Sequence, residues 1–105
     1  MQRVILESPY AGDIEKNTTY AKECMRDSVR RGEAPFASHL LYTQSGVLDD
    51  SIAEERTLGI EAGLVWGDVA EKTVVYEDLG ISAGMKLGIE RAKKAGRLVE
   101  YRKIR

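Results

Sequence analysis

The sequence predicts one α/β domain of three layers, in which a short parallel sheet of about four strands lies between helices. Short apolar segments alternate with longer segments of helical period, in the order β-α-β-α-β-α-β. Because a helical crossover separates successive strands, the sheet is expected to be parallel with right-handed connections. A length of 105 residues suits a single domain, residues 1–105, with one core.

The first strand and helix are predicted from the first third of the chain. The apolar run within residues 3–7 ends in a turn-rich segment, as expected of a central strand buried on both faces. From Asp13, small and apolar residues recur at helical spacing up to Arg31, and Gly32 takes the C′ position. A loop at the carboxyl end of the strand should therefore lead into the helix.

The middle of the chain predicts an edge strand, a long loop and a second helix. Residues 34–38 can form the strand because Pro35 stands near its start, where the missing N–H costs little. Residues 39–50 have no clean period and are expected to form the loop. The segment Ser51-Ile52-Ala53-Glu54 has the pattern of a capping box, which predicts a helix from there to about Glu71.

Three glycines lie four residues apart in this predicted helix. Gly59, Gly63 and Gly67 would each cost about 1 kcal/mol relative to alanine in an exposed helix interior. A close approach of that face to a strand or to a second subunit is expected to offset the cost. Trp66 beside them is expected in the core or at a subunit interface.

The last third of the chain predicts two more strands and a helix. Residues 73–76 and 98–101 are mostly apolar segments of strand length. Between them a helix is expected from Ile81 or Ser82 to Ala95, where Gly96 ends it.

A ligand pocket is predicted between the turns Glu7–Gly12 and Gly80–Gly84. In an open parallel sheet, ligands bind beyond the carboxyl ends of the strands where the strand order reverses, here expected between strands one and three. The second turn precedes a helix, so free N–H groups and the Ser82 hydroxyl can hold a phosphate or carboxylate. The alternative is a simple N-cap serine between two turn glycines.

Four carboxylates are candidates for acid/base chemistry in this pocket: Glu7, Glu77, Asp78 and Glu90. Burial or mutual repulsion can raise the pKa of such a group into the range that proton transfer needs. A solvated surface carboxylate is the alternative for each.

Aromatic and sulfur-bearing side chains near the first turn have two interpretations. Tyr10 and Tyr20 can stack on a base, although core or surface packing is equally open for Tyr20. His39, the only histidine, is read as a hydrogen-bonded loop residue rather than a metal ligand. Cys24 is expected to be an inert packed thiol.

Composition and absent motifs exclude several classes of protein. A formal charge of -1 supplies no basic field for nucleic acid, and neither a signal sequence nor a membrane span is recognisable. A single cysteine fits a reducing compartment, so a cytoplasmic location is expected. Dinucleotide, P-loop, esterase and zincin motifs are missing, and neither a metal nor a cofactor is predicted.

Four segments in order resemble the nucleoside 2-deoxyribosyltransferase superfamily, over nearly the whole chain. They are residues 4–12, Ser38-His39, Glu55-Arg56 and residues 80–85. The closest resemblance is to small phage and bacterial members of unassigned function. It implies a flavodoxin- or Rossmann-like sheet, a dimer or larger homo-oligomer, and a nucleoside or nucleotide as the ligand. Enzymes of the superfamily cleave or exchange the N-glycosidic bond through a glutamate nucleophile.

The resemblance also implies roles for individual residues. The first loop would surround the sugar and base, and Ser82 would hold a 5′-phosphate. The implied ligand-binding residues are Ser8, Pro9, Tyr10, Gly12, Ser38, His39, Ser82, Gly84, Met85 and Lys86.

The catalytic glutamate is the departure from the superfamily. Where the enzymes have Gly-Tyr-Glu-Leu-Gly, this chain has Gly84-Met85-Lys86-Leu87-Gly88, so Lys86 takes the place of the nucleophile. Three functions remain open. The first is an enzyme with Glu90 or Glu7 as nucleophile and Asp78 as proton donor. The second is an inactive module that sequesters or senses a nucleotide, for example in the host cytoplasm if a phage encodes it. The third is an interaction domain that dimerises through its glycine face.

Overall fold

Four parallel strands form the middle layer of the structure, a computed structural model that describes residues 1–105. They are β1 (Gln2–Glu7), β2 (Glu33–Phe36), β3 (Lys72–Tyr76) and β4 (Leu98–Arg102). Their order in the sheet is β2-β1-β3-β4, with every neighbouring pair parallel. The predicted parallel sheet, the edge position of β2 and the reversal of strand order between β1 and β3 are confirmed.

Helices cover both faces of the sheet, and their bounds are α1 (Ile14–Arg30), α2 (Ser38–Leu41), α3 (Ala53–Gly67) and α4 (Ala83–Lys94). On one face, Tyr20 and Cys24 of α1 are fully buried against alternate residues of β1 and β3. On the other face, Met85 and Ile89 of α4 pack on Val75, and α3 lies beside β1. The three-layer prediction is confirmed, as is the packed environment of Cys24, whose burial raises its pKa to about 12.

The loop and helix predicted for residues 39–71 differ from the structure in three ways. The short helix α2 occupies the start of the expected loop. The capping box is wrong, because the Ser51 hydroxyl donates to Asp49 Oδ1 at 2.6 Å and α3 begins after Ile52 without a side-chain cap. The helix also ends at Gly67, four residues before the expected end, because the N–H of Glu71 donates to the Arg3 carbonyl at 2.8 Å alongside β1.

The glycine face of α3 makes its close contacts within the chain. A Cβ at Gly63 would lie 2.7 Å from the Cβ of Ser38, and one at Gly67 would lie 3.0 Å from Arg97 Nη2. A close approach is therefore present, but its nearest neighbours are Ser38 of α2 and Arg97; the strand contact is the weaker one, between a Cβ at Gly67 and Ile5 of β1 at 3.6 Å. Trp66 is not in the core: it is half exposed, with its ring centroid 5.8 Å from that of Phe36.

A buried ion-pair network joins three strands on the α1 face. The Arg102 guanidinium donates to both Glu33 oxygens at 2.7 and 2.6 Å, and Lys72 Nζ lies 3.0 Å from the same carboxylate. Hydrogen bonds from Arg102 are the main reason that the pKa of Glu33 falls to about 2. The network therefore holds an ionised carboxylate away from water throughout the neutral pH range.

None of the helices is both long and apolar enough to cross a membrane.

Candidate active site

A cavity of about 190 Å³ opens at the carboxyl ends of the strands, where the strand order reverses. We call it the site cavity. Its walls are the loop after β1, the start of α2, the first half of α3 and the first turn of α4. The residues predicted from sequence that line it are Glu7, Ser8, Tyr10, Ser38, His39, Ser82, Gly84 and Met85. Both predicted turns thus contribute to one cavity.

Ser8 and His39 join the first loop to α2. The Ser8 hydroxyl lies 2.6 Å from His39 Nε2, and Ser8 is almost fully buried. Burial lowers the pKa of His39 to about 4, so its imidazole is neutral at neutral pH. The predicted hydrogen-bonded histidine is confirmed, and the bond fixes the mouth of the cavity.

Glu7 ends β1 and carries its carboxyl between the site cavity and α4. The carboxyl rests on the backbone of Gly88, where a Cβ would overlap Oε2 and lie 2.6 Å from Cδ. Burial raises the pKa of Glu7 to about 8, against a lowering effect of the Arg97 charge. At neutral pH Glu7 is therefore mostly a neutral carboxylic acid, which can donate a proton into the cavity.

The first turn of α4 presents backbone donors to the cavity. Ser82 is the N-cap, and its hydroxyl accepts the Met85 N–H at 3.3 Å. The N-cap interpretation is confirmed. The N–H groups of Ala83 and Gly84 have no acceptor in the chain and belong to residues that line the cavity, as an anion site at a helix start requires.

Asp78 is absent from the site cavity, contrary to its predicted role as proton donor. Its carboxylate accepts the Tyr20 hydroxyl at 2.6 Å on the α1 side, and the N–H groups of Ile104 and Arg105 at 3.0 and 2.9 Å. Burial acts to raise the pKa of Asp78, but these hydrogen bonds outweigh it and the pKa is lowered. Asp78 thus stays ionised and ties the C-terminal residues to α1. Tyr20 is fully buried, so the packing alternative holds for it and stacking on a ligand does not.

Glu90 and Lys86 also lie outside the site cavity. Both are exposed on α4, whose buried residues are Met85, Gly88, Ile89 and Ala92. Spacing by four residues puts Lys86 and Glu90 on one helix face, but that face is turned to solvent. The predicted placement of Glu90 as a nucleophile is therefore wrong.

Three other predicted positions do not line the cavity. Pro9 is a buried residue of the first loop, and Gly12 is exposed at the end of that loop with a φ of +105°. Glu77 donates its N–H to the Arg102 carbonyl at 3.0 Å and does not reach the cavity.

Several lining residues come from the segment between α2 and the middle of α3, to which sequence reasoning gave no role. They are Tyr42, Thr43, Leu48, Asp50, Glu55, Arg56, Gly59 and Ile60. Arg56 is the only lysine or arginine among the lining residues. In the sequence, only the length of the loop and the Glu55-Arg56 pair pointed to a role for this segment. Its place in the cavity wall could not be predicted, because it depends on how the segment folds back over β1.

Comparisons with known proteins agree with this fold. A 2-deoxyribosyltransferase from the psychrotolerant bacterium Bacillus psychrosaccharolyticus superposes with a TM-score of 0.66 at 19% identity, covering 96% of this chain and 72% of the enzyme. The CMP N-glycosidase BcmB of Clostridium botulinum superposes with a TM-score of 0.54 at 12% identity, covering 97% of this chain and 69% of that one. At these identities the likeness establishes the fold. No curated protein sequence matches.

A family model covers almost the whole chain. The model of the domain of unknown function DUF7768 matches residues 2–102, which include every strand and helix and all residues of the site cavity. The chain is therefore a member of the DUF7768 family.

Proposed function

We propose that this chain binds a nucleoside or nucleoside 5′-monophosphate in the site cavity and hydrolyses its N-glycosidic bond. The observation that carries the proposal is Glu7, a carboxyl at the end of the central strand whose burial raises its pKa to about 8. A carboxyl that keeps its proton at neutral pH can protonate a departing base. The shared fold with a 2-deoxyribosyltransferase and a CMP N-glycosidase supports this class of substrate.

In the proposed reaction Glu7 gives its proton to the base as the bond between the sugar C1′ and the base nitrogen breaks. Water adds to C1′ and passes a proton to the carboxylate of Asp50 or Glu55, both of which line the same cavity. The products are a free base and a sugar or sugar phosphate. Proton exchange with solvent then restores a neutral Glu7 and an ionised partner.

Binding would use the remaining lining groups. The free N–H groups at the start of α4 suit the 5′-phosphate, with Arg56 as a second positive group. Tyr10 is the aromatic side chain on the first loop that can lie against the base.

The test is release of free base, followed by chromatography, from a panel of ribo- and deoxyribonucleosides and their 5′-monophosphates. Glu7→Gln should lower the rate by about 10²- to 10⁴-fold, the usual contribution of a general acid. Glu90→Gln is the matched control, because Glu90 is exposed outside the cavity. No release from any substrate by the unaltered protein would rule out hydrolysis.

The second candidate is a binding module without turnover, and the observation that favours it is Lys86. The resemblance puts the catalytic glutamate at this position, and here the position holds a lysine that does not line the cavity. Such a module would sequester or sense a nucleotide, for example a host signalling nucleotide bound by a phage protein. A nucleotide should then raise Tm as RT ln(1 + [L]/Kd) requires, with no product formed. A panel of nucleosides and nucleotides without any thermal shift would contradict both candidates.

A homo-oligomer is a further part of the proposal. Leu58, Val65 and Trp66 of α3 are each more than half exposed, which is the kind of apolar surface that a subunit contact covers. Light scattering coupled to size exclusion measures the mass directly, and a monomer at all concentrations would refute this part.

A further inference from the structure

We propose that Arg97 is a positioning residue for Glu7. The Arg97 guanidinium attracts the ionised Glu7 carboxyl into a second cavity behind the site cavity. The consequence for catalysis depends on the proposed hydrolysis, whereas the movement and its cause can be tested on a protein that turns nothing over. The side chains that carry the proposal are those of Arg97 and Glu7, together with the charged groups that surround Glu7.

The second cavity, which we call the rear cavity, measures about 50 Å³ and lies between the sheet and the helices α3 and α4. Its walls include the backbones of four glycines: Gly63, Gly67, Gly84 and Gly88. Glu7 lines the rear cavity as well as the site cavity. Its carboxyl therefore lies at the boundary between the two and has open space on either side.

Arg97 reaches the rear cavity from the loop between α4 and β4. Its Nε donates to the Thr73 hydroxyl at 3.3 Å, which fixes the plane of the guanidinium. Its Nη2 lies against Gly67, where a Cβ would be 3.0 Å away. The other N–H groups of the guanidinium have no partner in the chain, although a buried or half-buried guanidinium normally has one for most of its donors.

Glu7 is the acceptor that fits these free donors. The two side chains line one cavity but make no hydrogen bond, and Arg97 acts on Glu7 only through its charge. A neutral carboxyl gains little from a guanidinium, but an ionised carboxylate gains charge-assisted, often bidentate, hydrogen bonds. Loss of the proton should therefore draw the carboxylate towards Arg97.

No other charged group competes for Glu7 in the rear cavity. Its remaining lining residues are apolar side chains, glycines and Ser38. The titratable and charged groups on the other side are those of the site cavity. They are neutral His39 from α2, Asp50 from the loop, Glu55 and Arg56 from α3, and the phenols of Tyr10 and Tyr42. The part of α4 that packs on Glu7 contributes Gly84, Met85 and Gly88, none of which titrates.

In catalysis this arrangement would stabilise the product state of the proton transfer. When Glu7 gives its proton to the base, the new negative charge would move to Arg97 and away from the carboxylates of the site cavity. Reprotonation would return the neutral acid to the boundary. Arg97 would then act on the reaction through Glu7 without touching the substrate.

The experiment is a ¹³C NMR titration of the Glu7 side-chain carboxyl in the ligand-free protein, with its signal assigned from the spectrum of Glu7→Gln. Arg97→Gln should raise the pH of the Glu7 transition by about one unit, because a nearby cation is lost. Arg97→Lys should restore most of the shift, since a structural role alone would not depend on charge. Arg91→Gln is the matched control, because Arg91 pairs with the exposed Asp68 at 3.2 Å. An unchanged Glu7 transition in Arg97→Gln would overturn the proposal.

A second measurement covers the case in which Arg97→Gln does not fold. Crystals of the unaltered protein at pH 6 and pH 9.5 should differ in the Glu7 side chain, which should meet the guanidinium at hydrogen-bond distance, about 2.7–2.9 Å, only at the higher pH. A carboxyl in the same place at both values would equally overturn the proposal. Absence of base release would refute the proposed hydrolysis and leave both of these results unaffected.

Discussion

Replacing Glu7 by glutamine should remove a loss of stability that the unaltered protein suffers between pH 6.5 and 8. The Glu7 pKa is raised from its ordinary 4.5 to about 8 in the folded state. Between these values the folded protein holds a proton that the unfolded chain has released. Folding stability therefore falls as the pH rises through this range, by up to about 1.4 kcal/mol per pH unit.

His39 sets the range in which the effect is visible. Burial lowers its pKa from 6.5 to about 4, so the unfolded chain holds the extra proton between those values. Stability then rises with pH, with the opposite sign to Glu7, and the two contributions offset each other below pH 6.5. Above pH 6.5 the unfolded chain loses the His39 proton, so the His39 contribution fades and that of Glu7 dominates. For Glu7 alone the loss from pH 6.5 to 8 is about 1.6 kcal/mol.

Urea unfolding followed by circular dichroism at half-unit pH steps measures this loss. A glutamine side chain cannot ionise and is nearly isosteric with the protonated acid. The free energy of unfolding of Glu7→Gln should therefore lack the fall between pH 6.5 and 8 that the unaltered protein shows. Glu90→Gln should follow the unaltered protein, because Glu90 is exposed. Parallel stability curves for the unaltered protein and Glu7→Gln would show that Glu7 is ionised in the folded state, and would remove the basis for its role as an acid.

Three further predictions concern packing and charge. Gly63→Ala should destabilise the fold by about 1–3 kcal/mol, because the new Cβ would lie 2.7 Å from that of Ser38. Gly59→Ala should be neutral or stabilising, because its new Cβ would have its nearest contact at 3.4 Å. Thermal unfolding of the two variants measures the difference. Arg102→Met should cost about 3–5 kcal/mol in urea unfolding because it leaves Glu33 buried with only part of its ion-pair network. Arg91→Met should cost little, because the Arg91–Asp68 pair is largely accessible to water. His39→Gln should remove the part of the acid destabilisation between pH 6.5 and 4 that His39 causes; an unchanged acid limb would contradict a neutral buried imidazole.

Most of the fold could be predicted because the four strands and the helices α1, α3 and α4 are marked by local chemistry, whereas the short helix α2 is not. The unbroken apolar run of β1 has no solvent face, and Gly32 and Gly96 end helices with φ values of +85° and +70°. The start of α3 could not be predicted in this way. The Ser51 hydroxyl could either accept a free N–H group at the start of the helix or donate to Asp49. The fold of the preceding loop brings Asp49 close, and the hydroxyl donates to it.

The candidate site was predictable where it depends on strand ends. Glu7, Ser8, His39 and Ser82 meet because parallel strands bring their carboxyl ends to one edge of the sheet. Asp78 was misplaced because β3 ends at Tyr76, and the turn that follows brings the Asp78 carboxylate to Tyr20 of α1. Arg97 lies far along the chain from Glu7, and only the packed structure brings them to one cavity.

The protonation of Glu7 bears on which reaction the site favours. Base exchange needs a covalent sugar intermediate that survives until a second base arrives, and its nucleophile must be an anion. Position 86 supplies no carboxylate, and Glu7 is mostly neutral at neutral pH. A neutral Glu7 can protonate the leaving base but cannot attack C1′, and the proposed reaction assigns Asp50 or Glu55 to the attacking water, so hydrolysis should dominate over exchange. Addition of a second, isotope-labelled base at millimolar concentration should therefore yield no labelled nucleoside, and its appearance would identify an ionised carboxylate in the cavity as a nucleophile.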